Sequence, residues 1–328
     1  MFLKVFKSGQ PALLFFIPVL AILLWLKYFI VSQPVEMAFE PNPMPFYYWI
    51  STLLEKQIII GKIVTLILLI FTGISLSKIN TRFILLQHRS YLPAIIYLLL
   101  VSSYQPLQQL NPAVFASVFL VIAIEIIVGT YKKEGLALEF FMASFLIAIA
   151  SLFYARAAFL ILVIWTGLSI FRTIYWREWA FTILGFTTPY VFLFAWYYLS
   201  GQDMAHNWEL IRYNFVHDRE TGYLNYFYLG FYGYLLLVVL LASRKMLGNF
   251  QQLKIFIRKF FHMNFWIFVF VLIPFLVIYS RAIEMIYFLA IPVSYVLSYY
   301  FFRMRSKLAG EIIFGLLLAG YGMLLIFN

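Results

Sequence analysis

Seven polar side chains lie where this sequence could build a site for chemistry: Glu36, Glu40, Asn111, Arg156, His206, His217 and Arg281. Glu36 and Glu40 belong to the segment "SQPVEMAFEPNPMPFYYWISTLLEKQ", and an ionised carboxylate held beside a hydroxyl can act as a general base. Pro41 directs Glu40 away from helix, so we expect the two acids to lie separately in an extended loop. Solvated loop acids are the alternative interpretation.

Two arginines interrupt runs that are otherwise apolar, Arg156 in "SLFYARAAF" and Arg281 in "IYSRAIEM". A charge so close to apolar segments is costly and usually faces a cavity, a partner or an anionic group. Arg156 has no acid near it in the sequence, and its planar guanidinium is a candidate for bidentate phosphate binding. Glu284 lies three residues after Arg281 and could simply neutralise it. Arg281 is therefore either a phosphate ligand or one half of a local ion pair.

His206 and His217 belong to the polar segment "SGQDMAHNWELIRYNFVHDRETGYLN", with carboxylates nearby. Their spacing matches no HExxH or other zinc motif, so we predict no metal site. The chain also has no P-loop, no GxGxxG and no GxSxG, which argues against ATP-driven transport by this chain and predicts no cofactor. With no cysteine, it has neither disulfides nor thiolate metal ligands.

The composition predicts what must position these residues. Of 328 residues, 64% are hydrophobic and 11% charged, and the mean hydropathy is +0.92. These values are typical of an all-α, polytopic integral membrane protein. Polar, proline and glycine positions divide the chain into eleven candidate transmembrane helices, at about 11–31, 57–77, 91–104, 112–130, 136–152, 157–171, 179–199, 224–242, 264–279, 285–301 and 309–327.

The charges predict an orientation. The net charge is +11, and most of the 24 basic residues fall in segments on the same side as the N-terminus. The positive-inside rule then places the N-terminus in the cytoplasm and the C-terminus in the periplasm of a bacterial inner membrane. The basic residues are scattered between spans, which excludes a nucleic-acid-binding face. We predict that the basic, amphipathic segment 248–263 forms an interfacial helix on the cytoplasmic side.

The turn "QPLQQLNPAVFAS" separates two short candidate spans, and Asn111-Pro112 is a helix-start signal that predicts an N-cap. Glu125 is the one acid near the middle of a predicted span. It is therefore the candidate proton or ion relay of a lipid or glycan transporter. Because Lys132 follows two turns later, a position close to the inner surface is the alternative.

The N-terminal part, residues 1–201, resembles the GT-C superfamily of polyprenyl-phosphate-dependent membrane glycosyltransferases. The resemblance depends on one span, an acidic outer loop at 32–56 and an amphipathic piece at 46–54. It continues through "YLLLVSSYQPLQQLNPAVFASVFLVIAIEII", "FFMASFLIAIASLFYARAAFLILVIWTGLSIF" and "WREWAFTILGFTTPYVFLFAWYYLSG". Asn111 stands where the family often has an acid, and Arg156 where lysine is commoner. The whole chain also resembles multi-span inner-membrane proteins of Bacteroidota.

The resemblance implies a seven-span module followed, at 202–328, by an outer loop and four further spans. It also implies transfer of a sugar from a lipid-phosphate carrier at the outer face. Glu36 or Glu40 would be the base, Arg156 and Arg281 would hold phosphate, and His206, His217 and Asn111 would help bind substrate. Its partners would be membrane lipids and a polyprenyl-phosphate-linked saccharide. Whether the chain is an enzyme stays open, because a non-catalytic subunit or scaffold of a cell-envelope complex fits the same pattern.

Overall fold

The structure is a computed structural model that describes residues 6, 10, 12–30, 43–54, 57–104, 107–172, 175–216, 226–277, 283–304 and 306–327. In these ranges the chain is helical and contains no β-strand, which confirms the predicted all-α class. The α-helices there are α1 (Ala12–Ile30), α2 (Pro45–Leu54), α3 (Ile58–Phe83), α4 (Leu92–Ser102), α5 (Pro112–Val128), α6 (Ala137–Phe153), α7 (Ile161–Phe171), α8 (Trp176–Leu199), α9 (Met204–Val216), α10 (Tyr226–Gly248), α11 (Ile255–Val277), α12 (Ile286–Arg303) and α13 (Lys307–Phe327). Short 3-10 helices cover Ala155–Leu160, Phe250–Gln252 and Ile283–Met285.

Seven helices of the described ranges are long and apolar enough to cross a membrane: α1, α3, α8, α10, α11, α12 and α13. Four shorter apolar segments lie between them: α4, α5, α6 and the continuous piece Ala155–Phe171. These apolar helices suggest a membrane protein. Together they occupy the eleven segments predicted from the sequence, while the number that crosses a bilayer stays a prediction.

The short helices α4 and α5 lie inside the bundle together with the long helix α12, and several of the other long helices lie around them. All residues of α4 are buried, and twelve of the 17 residues of α5 are buried as well. The peripheral helices α1, α8, α10 and α13 instead expose leucine, phenylalanine and valine side chains on their outward faces. A rim of apolar side chains around a packed interior is the reverse of a water-soluble bundle.

Basic side chains gather at one end of the bundle, which we call the basic end. Lys78 and Arg82, near the end of α3, contact Glu125 near the end of α5. The contacts that bring other helix ends to the same place are Arg172 with Glu178, Arg303 with Gln87, Lys245 with Tyr300 and Lys259 with Tyr131. Because consecutive long elements alternate in direction, the predicted one-sided charge distribution corresponds to one physical end.

The helix α11 corrects one prediction. Residues 248–263 do not form a separate interfacial helix, because α11 is continuous from Ile255 to Val277 after a short 3-10 turn. Ile257, Phe260 and Phe261 are buried in the bundle. Their helical spacing therefore reflects packing against neighbouring helices rather than against a membrane surface.

The C-terminal helices are interleaved with the N-terminal ones. The helix α12 packs against α4, and α11 packs against α7. One hydrophobic core includes residues from before and after Gly201. The division of the chain at that residue stays a prediction.

Candidate functional site

Two short turns lie near each other at the end of the bundle opposite the basic end, where Leu110 and Phe153 share one buried apolar group, and we call these turns the recessed floor. The first, residues 107–111, leads into α5, and the second, residues 154–156, consists of Tyr154 and the start of the 3-10 helix between α6 and α7. Thr65 Oγ1 donates a hydrogen bond to the Gln109 carbonyl at 3.4 Å. Thr65 is seven residues into α3, so at a rise of about 1.5 Å per residue the floor lies roughly 10 Å below that helix end.

The turn 107–111 is held by side chains from distant parts of the chain. Tyr47 of α2 donates its hydroxyl to the Leu110 carbonyl at 3.1 Å, and Tyr287 of α12 donates to the Leu107 carbonyl at 2.6 Å. The Gln108 amide donates to the Ser102 carbonyl at 2.9 Å. These bonds satisfy backbone carbonyls that accept no hydrogen bond within a helix. They thereby fix the turn beneath α2.

Asn111 caps α5 as the sequence predicts. Its Oδ1 accepts a hydrogen bond from the Ala113 N–H at 2.8 Å, its backbone is extended, and Pro112 begins the helix. The side chain is buried. The structure thus gives Asn111 a structural role in starting α5, and its contact with a substrate stays a prediction.

This cap gives a first testable prediction. We expect Asn111→Ala to lower the free energy of unfolding by about 1 kcal/mol, because the Ala113 N–H loses its acceptor. Asn111→Ser should keep most of the wild-type stability, since serine caps about as well as asparagine and buries no charge. Thermal unfolding of both variants in detergent provides the measurement. Equal losses for both would contradict a capping role.

Arg156 lies on the recessed floor and is 3% exposed. It belongs to the 3-10 turn that follows α6, where Tyr154 is extended and stacks on Phe288 of α12 at a centroid distance of 5.8 Å. Burial raises the pKa of Tyr154; the negative charge of Glu284 raises it further, and the positive charge of Arg156 lowers it. Opposite charges from two distant parts of the chain therefore act on one phenol.

Glu284 is the residue of this site that the sequence does not indicate. Its sequence position suggests only a local partner of Arg281, whereas in the fold it also acts on Tyr47, whose pKa is raised first by burial and then by this carboxylate. The 3-10 turn Ile283–Met285 at the start of α12 places it there. No local pattern reveals the pairing, because Tyr47 and Glu284 belong to opposite ends of the sequence. We call Tyr47, Asn111, Tyr154, Arg156 and Glu284 the arginine cluster.

Two amphipathic helices pack beside the floor. Met44, which precedes α2, and Ile211 of α9 lie in one buried apolar group with Ala155, the residue before Arg156. Phe46 of α2 contacts Phe153 edge-on at a centroid distance of 5.5 Å. The helices α2 and α9 thus border the arginine cluster.

The other predicted site residues are only partly placed. His206 lies exposed on α9, and the described contacts do not bring it to the arginine cluster. Glu36, Glu40, His217 and Arg281 lie outside the described residues, so their roles stay predictions. Among the residues that the structure does describe, no three histidine, aspartate or glutamate side chains converge as metal ligands would.

Glu125 lies at the basic end. Its carboxylate accepts from Arg82 at 2.9 Å and lies 3.2 Å from Lys78 Nζ. The side chain is 14% exposed and the two cations are 63% (Lys78) and 57% (Arg82) exposed. This arrangement matches the alternative of a position near the inner surface and does not favour a relay in the middle of a span.

Comparison with known proteins adds no relative: no protein-family model, no curated protein and no solved structure matches this chain.

Proposed function

We propose that this chain is a polytopic membrane protein that binds the phosphate of a polyprenyl-linked saccharide, and that it is a glycosyltransferase of the GT-C type. The observation that carries the proposal is the burial of Arg156 on the recessed floor, with Glu284 acting on the same tyrosine. An arginine buried among apolar helices is costly unless anionic groups compensate it. A phosphate is the anion that its planar fork fits best.

The peripheral apolar surface supports the membrane embedding. Leu23 of α1, Leu184 of α8 and Leu237 of α10 are exposed, and each lies in the middle third of a helix long enough to span hydrocarbon. With the basic end in the cytoplasm, the positive-inside rule directs the arginine cluster to the periplasmic side of a bacterial inner membrane. The eleven-span topology, with a periplasmic C-terminus, follows from the same assignment.

The proposed reaction divides its work between two groups. A carboxylate, Glu36 or Glu40 on the resemblance, takes the proton from an acceptor hydroxyl, whose oxygen then bonds to the anomeric carbon of the sugar. The bond from that carbon to the phosphate oxygen breaks, and its electron pair stays on the lipid phosphate. Arg156 stabilises the negative charge that develops there.

Phosphate binding by Arg156 can be measured directly. We expect Arg156→Gln to weaken the binding of undecaprenyl phosphate to the purified full-length protein at least about tenfold, because a charge-assisted hydrogen bond to a buried anion is lost. Arg212→Gln is the matched control, since Arg212 is exposed on α9, and it should change the dissociation constant less than about twofold. Arg156→Lys, which keeps the charge, should lie between the two.

Glu284→Gln should move the binding in the opposite direction. Removing a negative charge near the bound phosphate lowers the repulsion between them, so we expect affinity to rise about threefold. Thermal midpoints of all variants establish that they are folded. Unchanged binding in folded Arg156→Gln and Arg156→Lys would overturn the phosphate-binding proposal.

The non-catalytic subunit or scaffold is the second candidate. Asn111 favours it, because an amide that caps α5 occupies the turn where the glycosyltransferases often carry an acid. A transfer assay with a polyprenyl-phosphate sugar separates the two. Binding that depends on Arg156 together with no transfer, and a stoichiometric protein partner in native membranes, would support the scaffold.

A further inference from the structure

A polar pocket lies at the basic end, between the last turns of α3 and α5 and the first turn of α6. Its volume is about 260 Å³ and it is open on one side. Glu125, in its wall, is fourteen residues from Asn111 on the same helix, which separates it from the arginine cluster by roughly 20 Å. The lining combines charged and apolar side chains: Arg82, Glu125, Lys133, Glu139, Ile122, Ile126 and Leu136.

The charged side chains of the pocket form two groups, those that are already paired with each other and those that are not. Glu125 is already neutralised by Lys78 and Arg82. Lys133 and Glu139 line the pocket as well, and neither forms an ion pair within the described part of the chain. The pocket thus offers Lys133 to an anion, next to Arg82, which the anion would share with Glu125, and it offers Glu139 to a cation. This layout complements a ligand that carries both charges a few ångströms apart.

An apolar surface continues from the pocket toward the middle of the bundle. On α3, Ile67 and Phe71 lie on the same face as Lys78, eleven and seven residues before it, and both are exposed. Leu138 and Met142 of α6 are exposed near Glu139. A small soluble anion makes no use of such a surface, whereas acyl chains bury apolar area along it.

We propose that this pocket binds the headgroup of a phospholipid with a primary ammonium group, the phosphatidylethanolamine class, in the leaflet at the basic end. Arg82 and Lys133 hold the phosphate, Glu139 accepts the ammonium, and the acyl chains follow the exposed apolar side chains of α3 and α6. The inference depends on the membrane embedding proposed above and is independent of the phosphate site at Arg156.

The test is lipid retention by the purified full-length protein. Native mass spectrometry is performed after exchange into micelles with equal amounts of phosphatidylethanolamine and phosphatidylglycerol. We expect wild type to retain one phosphatidylethanolamine with about fivefold preference, and Glu139→Gln to lose that preference. Lys133→Gln should reduce retention of both lipids. The matched controls are the exposed neighbours Glu134→Gln and Lys132→Gln, which do not line the pocket and should behave as wild type.

Competition experiments with soluble ligands distinguish lipid binding from the binding of a free anion. Inorganic phosphate and glycerophosphoethanolamine, at the concentration of the lipid, should not displace it, because neither carries acyl chains. Displacement by phosphate, or a full headgroup preference in folded Glu139→Gln, would overturn the inference. Undecaprenyl phosphate binding should be unchanged in Glu139→Gln, and phosphatidylethanolamine retention unchanged in Arg156→Gln, so the two proposals fail separately.

Discussion

Replacing Glu178 with alanine is expected to lower the free energy of unfolding by about 3–5 kcal/mol, the usual cost of removing one partner of a buried ion pair. Arg172 Nη2 donates to Glu178 Oε1 at 2.5 Å, and the side chains of Arg172 and Glu178 are only 6% and 4% exposed. Arg172 follows the last residue of α7, and Glu178 lies in the first turn of α8. Alanine leaves the arginine charge buried without its carboxylate. SDS-induced unfolding of the purified protein in mixed micelles measures the loss.

The ion pairs of Glu125 provide the control for this prediction. Because Lys78 and Arg82 are largely exposed, Glu125→Gln should cost about 1 kcal/mol or less. The double variant Arg172→Met/Glu178→Leu should be more stable than Glu178→Ala, since it leaves no buried charge. If Glu178→Ala and Glu125→Gln cost the same small amount, burial does not govern the contribution of the Arg172–Glu178 pair.

The positions of the helices could be predicted from the sequence because hydropathy is a local property. Helix positions predicted from hydropathy are wrong mainly at polar helix ends. The prediction ended the second span at residue 77, whereas α3 continues to Phe83 and carries Lys78 and Arg82 to Glu125. That carboxylate lies more than forty residues away in the sequence, so no local pattern indicates that it supports the last turn.

The burial of each helix could not be predicted in the same way. The sequences of α1 and α4 are both almost wholly apolar, yet α4 is fully buried and α1 exposes many of its side chains. The surroundings of a helix depend on its neighbours. Here α12, which follows α4 by nearly two hundred residues, packs against α4.

In the candidate site, too, local contacts could be predicted from the sequence and long-range contacts could not. The cap at Asn111 could be predicted because its partner is two residues away. The bonds from Tyr47 and Tyr287 to the turn 107–111 span 63 and 180 residues, and the sequence contains no sign of them. Arg156 could be predicted because a charge in an apolar run is conspicuous, whereas the sequence links Glu284 only to its neighbour Arg281. Electrostatic partners that are distant in the sequence become visible only in the fold.

Among the glycines that the structure describes, Gly185 leaves the least room for an added methyl group, and its replacement is the second large expected effect. A Cβ at this position would lie 2.3 Å from both the Phe141 carbonyl oxygen and the Ser144 Oγ. The carbonyl belongs to the backbone of α6, so it cannot rotate away, and α8 must move outward along its packed face. We expect Gly185→Ala to cost about 3 kcal/mol, at the upper end of the range for overpacking, and Gly185→Leu more.

Two other glycines provide comparisons for this prediction, because a methyl group added there would contact different atoms or none. At Gly167 the nearest atom is the Ile127 Cγ2 at 2.6 Å, a single side-chain atom, whereas at Gly185 two atoms lie at 2.3 Å and one of them is backbone; Gly167→Ala should therefore also destabilise the protein, but less than Gly185→Ala. At Gly230, in α10, nothing lies within 4 Å. Gly230→Ala should therefore raise stability by up to about 1 kcal/mol through helix propensity. SDS-induced unfolding of the three alanine variants should give this order, and a Gly185→Ala protein as stable as Gly230→Ala would show that α6 and α8 do not pack this closely.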